Sequence, residues 1–304
     1  MPYSLANSNI IIPHLRFFTK SWILIGMRII LCGLISIGLL SCAPSSSSFS
    51  PSKSAQSNIL TINIGANPVV LNPILHTDAT SHGVTRMIFN GLFKKNNTLS
   101  MVPDLVQTTR ISDDKKTYIF TLKPHVRWHD GVPFSADDVV FTFNTLINPT
   151  TNTVRRGHFL LNGQPIRFEA IDSLTVKATL PEPYAPFLSV LDMGILPKHR
   201  LVGEAINTTD FNRHPIGTGP FKFVEWQPNQ FVRLTRNDDY FSTPPKLNGM
   251  IMRIIPDPAT ALLALKKGEI DATGIPPKDI EKIRAIDSLN TVTYQRLNYS
   301  YIGF

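Results

Sequence analysis

A dozen mostly apolar residues, 29–40, stop at Ser41 and Cys42 and give way to a serine-rich stretch, and this junction limits what the rest of the chain can be. The run is too short to cross a hydrocarbon core of about 30 Å, which needs roughly 20 residues. Behind Arg28 it fits the apolar region of a secretory signal, and Leu39-Leu40-Ser41-Cys42 has the order of a lipoprotein cleavage site. Residues 1–41 are therefore expected to be a signal peptide, with Met27 as an alternative true start. The alternative is an uncleaved anchor over residues 22–40, broken only by Arg28. Cleavage would leave Cys42 as the lipidated first residue, because the other of the two cysteines, Cys32, lies inside the discarded segment. The folded part then has no disulfide, no thiolate metal ligand and no cysteine nucleophile. Apolar burial must hold it together. Residues 42–57, rich in serine and proline, read as a flexible tether.

The remainder has enough apolar material to build such a core, since 42% of the 304 residues are hydrophobic and 17% charged. At about 100–200 residues per domain this is one large or two modest domains. The formal charge of +8 does not mark a nucleic-acid binder. Beyond residue 41 the balance is 27 basic against 22 acidic groups, dispersed, with no basic stripe interleaved with aromatics. Alternation predicts strands at 59–64 and 118–122, the second with Tyr118, Phe120 and Leu122 on one face. Trp128-His129-Asp130-Gly131 reads as a turn. Ser135 caps a helix whose first turn holds Asp137 and Asp138, and Val139, Val140, Phe143, Leu146 and Ile147 form its inner stripe up to Asn148-Pro149. Residues 221–226 and 231–235 flank a turn as a hairpin, and a helix over 258–267 starts at Asp257 and stops at Gly268. The mixture predicts an α/β fold with a partly antiparallel sheet.

Trp128 to Val139, spelling WHDGVPFSADDV, closely resembles the signature W-x-D-G-x-P-[FL]-[ST]-A-x-D-V of the extracytoplasmic solute-binding proteins of the oligopeptide/dipeptide/nickel class, family 5. Segments 65–73, 90–93, 217–221 and 261–271 agree with the family in the same order. The resemblance implies a periplasmic-binding-protein-like α/β fold of class II, the large peptide-binding type. It also implies delivery of small peptides to an ABC permease in the inner membrane by a periplasmic, extracytoplasmic lipoprotein anchored by its lipid. Members of the family are longer, so the chain is expected to be the N-terminal portion, with the C-terminal lobe missing and a separately encoded C-terminal half as a candidate partner. On this reading residues 58–97 and 206–304 make a discontinuous lobe I, ending in a strand over 294–304 that leads to the hinge. Residues 98–205 make a subdomain of that lobe carrying the signature. The alternatives within the resemblance are a nickel- or other small-solute-binding member, or an inactive surface lipoprotein fragment.

Within the signature, Trp128 reads as a packing residue, Asp130 and Gly131 as turn makers, and Pro133 and Asp138 as structural elements of the following helix start. The resemblance places ligand-facing positions in the loops 71–78 and 150–157. Thr77 and Asp78 are the candidates in the first. Arg155 is the candidate in the second, where its guanidinium could receive a ligand carboxylate in a bidentate fork. Tyr299 and Tyr301, near the expected hinge, complete the set. No H-E-x-x-H, G-x-S-x-G or phosphate-loop pattern occurs, so no enzyme activity and no cofactor are expected. His76, Asp78 and His82 fit no strong metal template, and no metal is expected.

Overall fold

The structure, a computed structural model, describes residues 5–13 and 58–297. The run at 29–40, Cys42, the tether, Tyr299 and Tyr301 lie outside the described residues.

Two antiparallel-rich sheets organise the molecule. In the first, Phe221–Gln227, Phe231–Arg236 and Gly249–Arg253 are antiparallel neighbours, with the expected hairpin closed by Gln230 N–H donating to Gln227 O at 3.0 Å. Ile59–Asn63 then joins in parallel, Ile59 beside Gly249 and Asn63 beside Arg253. Two distant stretches of chain thus share one sheet, and Val232, Leu234, Met250 and Met252 bury one of its faces. The second sheet runs in the spatial order Val106–Ile111, Thr117–Leu122, Thr175–Thr179, Arg167–Asp172, antiparallel throughout. Its period-2 pattern buries Tyr118, Phe120 and Leu122 as the sequence predicts.

Helix Ala136–Ile147 packs over this sheet, with Phe143 stacked on Phe168 at a ring separation of 3.9 Å. Val139, Phe143 and Leu146 are fully buried, while Val140 and Ile147 are half-buried at the stripe's edges. Residues of both sheets and this helix form one continuous apolar core. A smaller cluster of Ala264, Leu265, Ile270, Ile283 and Leu289 lies beside helix Pro258–Lys266. That helix begins where expected, Asp257 accepting from Thr260 N–H at 2.8 Å, and ends at Gly268 with φ +72°. Its buried residues are Ala261, Ala264 and Leu265, with Leu262 only partly covered. The last strand begins earlier than predicted, as Leu289–Leu297. Leu5–Pro13, inside the segment 1–41 expected to be a signal peptide, is a strand lying antiparallel between Thr273–Ile275 and Leu289–Leu297. Among the described residues no helix is long and apolar enough to cross a membrane.

Candidate functional site

The signature segment is a joint in the framework. Trp128 is 2% exposed, meets Phe134 edge-on, and donates through Nε1 to Asp138 Oδ2 at 3.2 Å. Gly131 takes φ +89° in the turn, Asp130 Oδ1 accepts from Val132 N–H, and its Oδ2 lies 2.9 Å from His199 Nε2. Pro133 bridges back to Arg127. His129 ties this turn to the Gly217-Thr218-Gly219 strip: its N–H donates to Gly217 O at 2.9 Å, Nδ1 accepts from Gly217 N–H at 3.2 Å, and Nε2 donates to Gly219 O at 3.0 Å. An imidazole that accepts at Nδ1 and donates at Nε2 is neutral.

Burial and the Lys222 charge hold the His129 pKa down at about 4 against the opposing Gly219 bond. In the unfolded chain it would titrate near 6.5, so between those values the unfolded state binds more protons. Stability is therefore complete above pH 6.5 and is lost as the pH falls towards 4. The expected loss is on the order of 2–3 kcal/mol from this group. Urea midpoints measured from pH 7 to pH 4 should fall in the parent and fall distinctly less in His129→Gln.

A depression of about 280 Å³ lies beside this joint, lined by Arg127, His129, Lys222, Asn237 and Asp239 among others. Its polar groups are already committed: Lys222 sits 3.9 Å from Asp239 and donates to His129 O, Arg127 donates to Gly131 O, and Asn237 donates to Gly219 O. It offers a ligand few free partners.

The loops at 71–78 and 150–157 make a different arrangement. Asn72 folds the first loop: its Oδ1 accepts from Ile74 N–H, its Nδ2 donates to the buried Asn212, and its carbonyl accepts from Leu75 and His76 N–H. This turns His76 inward, where it is 4% exposed. Asp78 caps helix Ala79–Ile88, Oδ1 accepting from Ser81 N–H at 2.7 Å. In the second loop Thr153 Oγ1 donates to Ile74 O at 2.6 Å, docking one loop on the other. Arg155 then reaches His76, its Nη2 lying 3.2 Å from Nδ1, 3.3 Å from Nε2 and 3.4 Å from the carbonyl.

His76, His82, Arg86, Arg155 and Asp192 surround a small cavity of about 40 Å³ with Phe89 and Met193 as apolar wall. His82 and Arg86, one helical turn apart, share a helix face, and the His76 and His82 rings are 5.3 Å apart. Burial, then the Arg155 charge, lowers the His76 pKa to about 4, with Asp78 opposing. Desolvation also lowers the Arg155 pKa, opposed by Asp192. The Arg155 Nε and Asp78 Oδ2 are buried without partners.

Of the candidates chosen from sequence, Asp78 and Arg155 thus converge on His76, whereas Thr77 is exposed beside them. His82, Arg86 and Asp192 join the corner, although sequence reasoning does not single them out as ligand contacts. The i, i+4 pairing of His82 with Arg86 is a legible hint, but Asp192 comes from far along the chain and carries no local signal. Among the described residues no group of three or more histidine, cysteine, aspartate or glutamate side chains is placed to hold a metal ion.

Residues 100–304 match the family model described as bacterial extracellular solute-binding proteins, family 5 Middle. The chain is 30% identical to the oligopeptide-binding protein AppA of Bacillus subtilis (strain 168), over 89% of this chain and 51% of that protein. Its structure resembles the ABC transporter substrate-binding protein CtaP of Listeria monocytogenes, with a TM-score of 0.71 and 38% identity over 75% of this chain and 47% of that one. It also resembles NikZ of Campylobacter jejuni in complex with Ni(L-His), with a TM-score of 0.70 and 35% identity over 76% of this chain and 46% of that one. The chain spans about half the length of the relatives it matches.

Proposed function

The chain belongs to the family 5 bacterial extracellular solute-binding proteins, and from that premise we propose that it is the solute-binding component of an ABC importer for oligopeptides or dipeptides, without enzymatic activity. Its ligand wall is the corner where loops 71–78 and 150–157 meet, with Arg155 and Asp78 facing the solute and Thr77 at the rim. The observation that carries this reading is the docking of the two loops through Thr153 and Ile74, which delivers a guanidinium with a free buried Nε to a cavity edge. Tyr299 and Tyr301, near the expected hinge, are kept as further ligand-binding candidates. In this scheme residues 58–97 and 206–304 form one lobe, a division supported by the parallel pairing of Ile59–Asn63 with Gly249–Arg253. Residues 98–205 are its subdomain, Cys42 carries a lipid outside the cytoplasmic membrane, and the permease is the partner.

Thermal unfolding of the full chain with a panel of free di- and oligopeptides tests this. A binding peptide at about 100 times its Kd adds roughly 2.7 kcal/mol and should raise the Tm by about 5 °C. Arg155→Ala should weaken that peptide about tenfold, the loss of one charge-assisted bond. A flat response to every peptide would sink the reading. The similarity to NikZ in complex with Ni(L-His) favours a second reading, a nickel or nickel–amino-acid cargo. Calorimetric titration with NiCl2, alone and with L-histidine, separates the two: heat with nickel and none with peptides would establish it.

A further inference from the structure

Among the described residues, Arg155 has no carboxylate within ion-pairing distance. Its hydrogen bonds run to the ring and carbonyl of His76, and its Nε is buried and unpartnered. The acid on the far side of the cavity, Asp192, is 3.6 Å from Lys95. Asp78, the other nearby acid, spends one carboxylate oxygen on capping the Ala79–Ile88 helix. The space in front of these groups, about 40 Å³, holds around three waters at roughly 10–15 Å³ each, or one carboxylate in their place.

We propose that the His76–His82–Arg155 corner is a proton-linked carboxylate site, which seats an anionic group of the ligand against the guanidinium while the imidazoles take up a proton. The inference deepens the reading of this corner as a ligand wall and rests on it. A carboxylate here would supply the charge that Arg155 lacks, in the bidentate geometry a guanidinium favours. It would also reverse the balance that keeps His76 neutral. The groups facing His76 are Arg155, His82 and Asp78, and those facing His82 are Arg86, Arg155, Asp192 and Lys95. Burial and then the Arg155 charge lower the His76 pKa, and burial followed by the Arg86 and Arg155 charges lowers that of His82, so both rings resist protonation in the empty site. An anion within about 4–6 Å favours the protonated imidazole by about 1–3 pH units. The selected solute is therefore one with a carboxylate at this position, whether a peptide's C-terminus or an acidic side chain. Its affinity rises as the medium is acidified towards the histidine midpoints.

Histidine ring C–H signals of the full chain, followed by NMR from pH 7.5 to pH 3.5, test the proposal with succinate as probe. Chloride at equal ionic strength and neutral succinamide are the controls. His76, assigned with His76→Asn, should titrate at about 4 in chloride. In succinate its midpoint should rise by about one unit or more, while succinamide leaves it in place. Arg155→Gln should abolish that rise with the His129 midpoint unchanged, which reports an intact fold. Equal midpoints in succinate and chloride, an equal effect of succinamide, or persistence of the rise in Arg155→Gln would each overturn the proposal. The two readings fail separately. Peptide-induced thermal shifts with an unresponsive His76 would leave the ligand wall standing without proton linkage. A responsive His76 with no peptide binding would establish the anion site and remove the peptide reading.

Discussion

Gly217→Ala is expected to leave little or no cooperatively folded protein. A Cβ built at Gly217 would lie 1.8 Å from the carbonyl oxygen of Ile88 and 2.6 Å from its carbonyl carbon. These are backbone atoms at the end of helix Ala79–Ile88, so no side-chain rotation relieves the overlap. The strip cannot simply move away. Gly219 N–H donates to the same Ile88 carbonyl at 2.8 Å, and His129 grips Gly217 and Gly219 from the other side. Thr218 donates to the buried Asn90, and Asn237 donates to Gly219 O. Separating the strip from the helix end therefore breaks several bonds together. The cost should reach about 4 kcal/mol or more, at the severe end of single substitutions. The same change at Gly83, inside the helix and with nothing within 4 Å of the added carbon, should instead stabilise by about 0.5–1 kcal/mol. Urea unfolding of both variants checks the contrast. A Gly217→Ala protein unfolding within about 1 kcal/mol of the parent would show that the strip has slack this packing denies.

That contrast marks where sequence reasoning succeeds and where it stops. Periodicity locates the strands ending at Asn63 and Leu122 and the hairpin around residues 227–230, because alternation with period 2 is a local consequence of one buried face. Asp257 and Gly268 bracket a helix because capping and left-handed termination are also local. The parallel pairing of Ile59–Asn63 with Gly249–Arg253 leaves no such trace, since its partners lie at opposite ends of the folded part. The candidate site divides the same way. Arg155 becomes a candidate only through the family resemblance of its loop. Its contact with His76 depends on how Asn72 bends one loop and Thr153 docks the other, and no spacing rule encodes that. His129 reads as a turn residue, yet both its ring nitrogens serve a segment far along the chain.

Asp138 shows the same limit at a single position and gives the second large expected effect. By helix-dipole logic alone Asp137 and Asp138 are equivalent acids at a helix N-terminus, each worth about 0.3–1 kcal/mol there, and only the resemblance to the signature sets Asp138 apart. In the structure Asp137 points outward to Lys198 Nζ at 3.1 Å, with its side chain 61% exposed. Asp138 is 4% exposed, and its carboxylate joins three parts of the chain. Oδ2 accepts from Ser135 N–H at 2.9 Å and from the indole of Trp128 at 3.2 Å, and Oδ1 accepts from Lys198 N–H at 2.9 Å. Burial raises its pKa, and those bonds only partly offset the effect, so the charged form carries a desolvation cost at neutral pH. Alanine would remove that cost but strand three donors, two of them backbone, each worth about 1–3 kcal/mol when left unmet. The donors outweigh the relief. Asp138→Ala should lose about 3–5 kcal/mol, whereas Asp137→Ala, which breaks an exposed pair, should change stability by about 0.5 kcal/mol or less. Asp138→Asn, which keeps one acceptor oxygen and turns an N–H₂ towards a donor, should fall between them. Chemical denaturation of the three variants orders them, and loss of the native tryptophan fluorescence environment should accompany the Asp138 changes because the Trp128 indole loses its carboxylate acceptor. Equal losses at positions 137 and 138 would return Asp138 to the role of a simple helix-dipole charge.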